Sequence, residues 1–127
     1  MSSQSQITMV ERYFTAVDAQ DLQGVLGVLT PDCVFCVETH GVVLRGRDEI
    51  AGMFRRLWNN HRAVRHHDFV HVPSVDGIRI ASQFQVENTE SDGSVTRKSN
   101  CNFFDLKGTR FSKISVYMAG VNTLEGA

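Results

Sequence analysis

The chain has little cysteine, little charge imbalance and no long apolar run, and each shortage removes a class of protein. Three cysteines, an odd number, do not make a disulfide framework. Two of them, Cys33 and Cys36, form a CxxC, but they fall in DCVFCVE, an apolar run that reads as a strand. Residues three apart on a strand point to opposite faces. The pair therefore cannot converge on a metal or act as a redox couple at a helix N-terminus, and a second ligand pair is missing. Two buried structural thiols are expected, with no metal.

The 13 basic and 14 acidic residues leave a formal net charge of −1. Arg45, Arg47, Arg55, Arg56, Arg62 and Arg65 form a loose basic stretch, but Asp48 and Glu49 interrupt it. No aromatic and basic side chains interleave as they do on a nucleic-acid platform. The stretch reads as a solvated face, and no nucleic-acid partner is expected. No apolar run is long enough to span a bilayer, and MSSQSQITM has neither the basic flank nor the apolar core of a signal peptide. The expectation is a soluble, cytoplasmic protein with no membrane partner. Repeats, linkers and low-complexity segments are also missing. A chain of 127 residues, 42% of them hydrophobic, is expected to be one domain over residues 1–127 with a single core.

What is present is a helical pattern followed by a strand pattern. Ile7, Val10, Phe14 and Val17 recur at helical spacing, which predicts a helix over residues 6–19. Asp21 can cap a second, short helix carrying Leu22, Val25, Leu26 and Leu29, stopped by Pro31. A strand over residues 33–38, a turn at His40-Gly41 and a short extended piece over residues 42–44 follow. A third helix begins near Arg47, with Asp48 and Glu49 in its first turn. It buries Ile50, Met53, Phe54 and Leu57 and ends near residues 58–60.

Beyond it come four strands: residues 64–72, 78–88, 95–106 and 110–119, joined by turns at Asp76-Gly77, Ser91-Asp92-Gly93-Ser94 and Lys107-Gly108. In the second of them Ile78, Ile80, Ser82, Phe84 and Val86 share one face. The tail after Asn122 reads as frayed. Helices followed by a run of antiparallel strands predict an α+β fold. The last two strands are apolar on both faces, so a second subunit is expected to cover the outer one, giving a homodimer through the sheet.

Tyr13 lies on the edge of the first helical stripe and carries a hydroxyl toward the core. A buried phenol needs a partner or a ligand. Asn100 and Asn102 share one inward face, which is unusual for a plain core because each amide needs partners. RHHDFVHV places His66, His67 and His71 on the first long strand. His67 and His71 share a face with Phe69, while His66 shares the other with Asp68.

The segments RYFTAVDAQDLQGV, TPDCVF and GRDEI, in this order, resemble the nuclear-transport-factor-2-like superfamily, also described as SnoaL-like or ketosteroid-isomerase-like. The resemblance covers nearly the whole chain. It implies a curved antiparallel sheet wrapped around three N-terminal helices, forming a cone with an apolar pocket. Such pockets serve isomerases, dehydratases, cyclases, epoxide hydrolases and non-enzymatic binders alike, so fold does not settle function.

Carried over by residue, the ketosteroid isomerase pattern of an Asp base and a two-donor oxyanion hole matches in part. Tyr13 falls on the oxyanion-hole tyrosine. Asn100 falls where the family has a protonated aspartic acid, and its NH2 is a neutral donor. The family's basic aspartate aligns with Val37, and the nearest carboxylate is Glu38. The supporting tyrosines appear as Leu29 and Phe54. Related scytalone-dehydratase-like proteins use a histidine near the start of the first long strand, which brings in His67 as the proton carrier.

The resemblance thus implies an isomerase or lyase of dehydratase or cyclase type. It would act without cofactor on a small apolar molecule bearing a carbonyl or hydroxyl. Tyr13, Asn100, His67 and Glu38 are the candidate catalytic residues. Phe14, Phe54, Trp58, Phe84, Asn102 and Tyr117 are the candidate pocket wall. The alternative is a non-catalytic domain of the same fold that binds a small hydrophobic ligand or serves in assembly, which the missing aspartate at position 37 favours.

Overall fold

A computed structural model describes residues 2–124 of the chain. Helix α1 (Ser3–Asp18) is capped by Ser2, whose hydroxyl accepts from the Ser5 backbone N–H, satisfying one of the free donors of the first turn. Its buried residues are Gln6, Met9, Val10, Tyr13, Phe14, Ala16 and Val17, spaced to lie on one side. Asp21 caps α2 (Leu22–Gly27) by accepting from the Gly24 N–H at 3.0 Å.

The second helix is shorter than its apolar pattern implied. It ends at Gly27, and Leu29 and Pro31 belong to β1 (Leu29–Val37) instead. A proline cannot donate to a ladder, so strands keep it at irregularities. Pro31 sits in one: the pairing of β1 with its neighbour shifts register between Leu29 and Val34. Arg47 donates to the Leu29 carbonyl at 2.6 Å and fixes this entry to the strand.

The chain leaves β1 through a single 3-10 turn (Glu38–His40), reverses at Gly41 with φ of 66°, and returns as β2 (Val42–Arg45). Helix α3 (Gly46–Asn60) buries Ile50, Ala51, Met53, Phe54 and Leu57 against the sheet. Four long strands follow: β3 (Ala63–Pro73), β4 (Arg79–Thr89), β5 (Val95–Lys107) and β6 (Arg110–Tyr117). Ile78, expected to open the inner face of β4, lies in the turn before it and is 58% exposed.

The strand order is β2-β1-β6-β5-β4-β3. Strand β1 runs parallel to β6, and every other pairing is antiparallel. The fold is α+β, an open, curved sheet with the helices packed over one face. Cys33 joins the core on that face, while Cys36 lies on the other beside Val43 and Ser115. The two thiols therefore diverge as strand geometry requires. Burial pushes the Cys33 thiol up to about 12, with Asp32 adding to the rise, which leaves it a packing group at neutral pH.

The inner face of the sheet carries buried Ile80, Ser82, Phe84, Val86 and Asn88 on β4, and Lys98, Asn100, Asn102 and Phe104 on β5. So many polar side chains on one covered face do not follow from packing alone. Three of them, Asn88, Asn100 and Asn102, line a cavity.

Candidate functional site

The cavity lies between α1, α3 and the inner sheet face. Tyr13, Phe14 and Val17 come from α1, Phe54 and Leu57 from α3, and Val64 and His66 from β3. Phe84, Val86 and Asn88 come from β4, and Asn100 and Asn102 from β5. Thr123 and Leu124 close it from the tail. The space open to a water-sized sphere is about 40 Å³, room for a few water molecules.

Tyr13 is 2% exposed. Its ring packs edge-on against Phe14, Phe54, Phe104 and Phe111, with centroids 4.9, 6.3, 5.5 and 6.3 Å away. Burial first, then the nearby Cys33 and Asp18, raises its pKa well above the ordinary phenol range. The hydroxyl of this cavity-lining residue therefore stays protonated at neutral pH and keeps its proton to donate. Asn100 lies on the same cavity wall without bonding to it. Its Oδ1 accepts from the Ala119 backbone N–H at 3.1 Å, which orients the amide and leaves the NH2 unpaired among the described residues.

The histidine in the cavity is His66, and a bulge decides this. Pairing of β3 with β4 shifts register between His67 and Val70, where Asp68 adopts a left-handed φ of 57°. An extra residue on one strand flips the alternation beyond it. Phe69 thereby joins His66 on the inner face, and both rings pack on Phe14, at 5.1 and 4.6 Å. His67, expected on Phe69's face, lies outside the cavity within 3.7 Å of Glu87 and 3.3 Å of Asp68. His71 is on the inner side but outside the cavity wall, 2.8 Å from the Ser82 hydroxyl. Burial lowers its pKa, with Glu11 opposing.

His66 has a partner that the sequence did not advertise. Asp18, at the end of α1, accepts from the His66 backbone N–H at 2.8 Å through Oδ2 and meets the imidazole Nδ1 at 2.5 Å through Oδ1. A carboxylate on Nδ1 places the proton there and leaves Nε2 as the basic nitrogen. The ring is held further by Phe84, centroids 5.4 Å apart. One signal existed: Asp18 continues the Val10, Phe14 stripe at i+4 spacing, a carboxylate on a buried face.

Three other expected site residues lie elsewhere. Glu38 is exposed in the 3-10 turn, because the chain leaves the strand at Val37. Trp58 donates its indole N–H to the Val17 carbonyl at 3.0 Å and stacks on Phe54, locking α3 to α1 outside the cavity wall. Tyr117 is 43% exposed and packs on Phe103 on the outer face of the sheet. Phe14, Phe54, Phe84 and Asn102 do line the cavity.

Two amides on this wall carry unpaired atoms. Asn88 is 1% exposed, and neither its Nδ2 nor its Oδ1 has a hydrogen-bond partner among the described residues. Asn102 Oδ1 is similarly unpaired. The tail, expected to fray after Asn122, instead folds back as far as it is described. His40 Nε2 lies 3.0 Å from the Gly120 carbonyl, Lys98 Nζ donates to the Val121 carbonyl, and Leu124 packs against the core. Residues 125–127 lie outside the described residues.

Helices closing a buried pocket against a curved sheet are an arrangement that solved structures share. A proposed polyketide cyclase from Silicibacter sp. TM1040 superposes with a TM-score of 0.84 at 20% identity, over 100% of this chain and 98% of its own. Another from Xanthomonas campestris pv. campestris gives 0.82 at 20% identity, over 90% of each chain. A protein of ketosteroid isomerase-like fold from Catenulispora acidiphila, solved with trimethylamine, gives 0.76 at 12% identity, over 86% of this chain and 83% of its own.

At such identities the likeness carries the fold alone. The model of the SnoaL-like domain matches residues 10–114, and the chain belongs to that family. No curated protein matches the sequence. No helix among the described residues is long and apolar enough to cross a membrane.

Proposed function

We propose that the protein is an isomerase or lyase that moves a proton on a small apolar carbonyl compound, with His66 as the base. Membership of the SnoaL-like family fits a cyclase-type, isomerase-type or ligand-binding role. The observation that best supports proton transfer is the Asp18–His66 pair. It presents a tautomer-fixed imidazole to an apolar cavity that also holds two unpaired donors.

In the proposed step, Nε2 of His66 takes a proton from the carbon next to the substrate carbonyl. The electron pair moves onto the carbonyl oxygen, where the Tyr13 hydroxyl and the Asn100 NH2 donate to the enolate. Asp18 stabilises the imidazolium. In a β,γ-unsaturated ketone the proton then returns to the γ-carbon as the double bond moves into conjugation, which is isomerisation; in a β-hydroxyketone it goes to the departing hydroxyl as water, which is dehydration. Donors in a dry pocket are worth far more than in water, so the residues present suffice for either outcome.

A two-ring ketone exceeds the free space, so entry would displace the Leu124 side chain. The test is exchange of the α-protons of 2-tetralone into deuterium oxide, followed by NMR, with binding followed separately by calorimetry. Catalysed exchange supports the reading. Binding of 2-tetralone without exchange would turn the assignment to a non-catalytic ligand carrier, and a lack of both would reject a carbonyl site.

A second copy of the chain is the proposed partner. By register, Val43, Cys36, Ser115, Phe103, Ala81 and Val72 form one row across all six strands of the outer face. Tyr117 and Val70 stand beside it, 43% and 56% exposed. A row apolar at every strand but Ser115 on β6 fits a self-complementary interface. Sedimentation should show a dimer that Tyr117→Glu shifts to monomer. A wild-type monomer at millimolar concentration would exclude it.

A further inference from the structure

Asn88 is a buried side chain to which the proposed proton transfer gives no task. It is 1% exposed and lines the cavity, and its amide has both a donor and an acceptor without a partner among the described residues. Desolvating an amide without a partner is costly, so native cores seldom retain one. Across the sheet it faces Val64 on β3 and Thr96 on β5, and neither bonds to its amide. A pair of orphaned groups in an apolar wall is the pattern of a recognition contact, because each becomes satisfied only when a ligand arrives.

The register says where that contact sits relative to the chemistry. Asn88 pairs with Val64, one step along the sheet from the level where His66 pairs with Val86. Phe84 pairs with Asn100 one step further in the same direction, and Ser82 pairs with Asn102 beyond it. Along β4 the Asn88 and Asn100 levels are four residues apart, roughly 13 Å at the rise of a strand. Tyr13 packs on Phe104 and Phe111, toward the Asn102 end. His66 thus lies between an oxyanion end, at Tyr13 and Asn100, and a second polar end at Asn88.

We infer that Asn88 binds a second hydrogen-bonding group of the substrate, a hydroxyl or enol at the end of the molecule remote from the reacting carbonyl. The substrate class is then an elongated apolar skeleton, such as a fused bicycle, oxygenated at both ends. A hydroxyl suits Asn88 because it donates to Oδ1 and accepts from Nδ2 at once. This inference rests on the carbonyl-binding reading above and adds the requirement for the second oxygen.

The test compares 2-tetralone with 6-hydroxy-2-tetralone, identical except for a hydroxyl at the far end, by calorimetric titration of wild type and Asn88→Leu. Wild type should bind the hydroxylated ketone about tenfold more tightly, the effect of one well-made bond to an otherwise unsatisfied buried amide. Asn88→Leu should lose that preference, binding the two ketones within about twofold of each other. Removing both orphaned groups should also leave its melting temperature equal to or above wild type.

Equal wild-type affinity for the two ketones would overturn the role of Asn88 while leaving the carbonyl site intact, as would a preference that survives Asn88→Leu. Failure of wild type to bind either ketone would bring down both readings together. A variant that fails to fold, or melts more than about 5 °C lower, would make Asn88 a structural residue and overturn the proposal.

Discussion

Replacing His66 with alanine should slow α-proton exchange of 2-tetralone by about 10²- to 10⁴-fold, the range a positioned general base supplies. The same assay should show His67→Ala within about twofold of wild type, because that ring lies outside the cavity against Glu87 and Asp68 and far-side surface changes are near neutral. Asp18→Asn keeps the shape and removes the charge that holds the Nδ1 proton and stabilises the imidazolium. It should cost a large part of the His66 effect with little loss of 2-tetralone affinity. Tyr13→Phe removes one enolate donor and should cost about 10²- to 10³-fold in rate. The assignment of the base would be wrong if His67→Ala, and not His66→Ala, removed the exchange.

The largest effect on stability is expected at Phe104. It is fully buried, and its ring meets Tyr13 at 5.5 Å, Phe14 at 6.0 Å and Phe111 at 4.8 Å. It therefore joins α1 to the centre of the sheet. Phe104→Ala removes that apolar area and leaves a cavity that its β-strand neighbours cannot close, at a cost of about 3–5 kcal/mol. Against a total of about 5–15 kcal/mol for a domain, urea unfolding should shift to a much lower midpoint. Phe103→Ala, next along the strand on the partly exposed outer face, should cost far less in the monomer. An equal loss at both positions would mean that the core is not centred where these contacts place it.

The two predictions draw on different layers of the molecule, and the layers were not equally legible. Local periodicity reported the helices well. The Val10, Phe14 and Val17 stripe and the Ile50, Met53, Phe54 and Leu57 stripe both form as spacing implied, because an amphipathic face needs only a sheet to bury against. Alternation on β4 and β5 placed Phe84, Asn100 and Asn102 inward, and β4 has no bulge to break it. Tyr13 emerged because a phenol on a buried stripe needs a partner or a ligand, wherever the rest of the chain goes.

Periodicity failed where a single residue changed the count. Asp68 in a left-handed conformation reverses the alternation of β3, so His66, and not His67, joins Phe69 and His71 on the inner face. A one-residue shift moves every later side chain to the other face, and Asp tolerates that backbone without announcing it. Pro31, a stop signal in a helix, is equally at home in a strand irregularity. Glu38 left the sheet because the strand ended one residue earlier than its apolar run suggested.

The composition and pattern of this chain therefore determined its class: an α+β domain with a helical cover, an apolar interior and a phenol facing it. Only the tertiary structure brought the proposed site together. Asp18 and His66 are 48 residues apart and meet because α1 packs against β3. Asn88 becomes conspicuous only when its neighbours are known to offer it no partner, and the tail becomes part of the site only once Lys98 and His40 hold it down. Side-chain pairing depends on strand register and on what packs across the cavity, and no local periodicity encodes either.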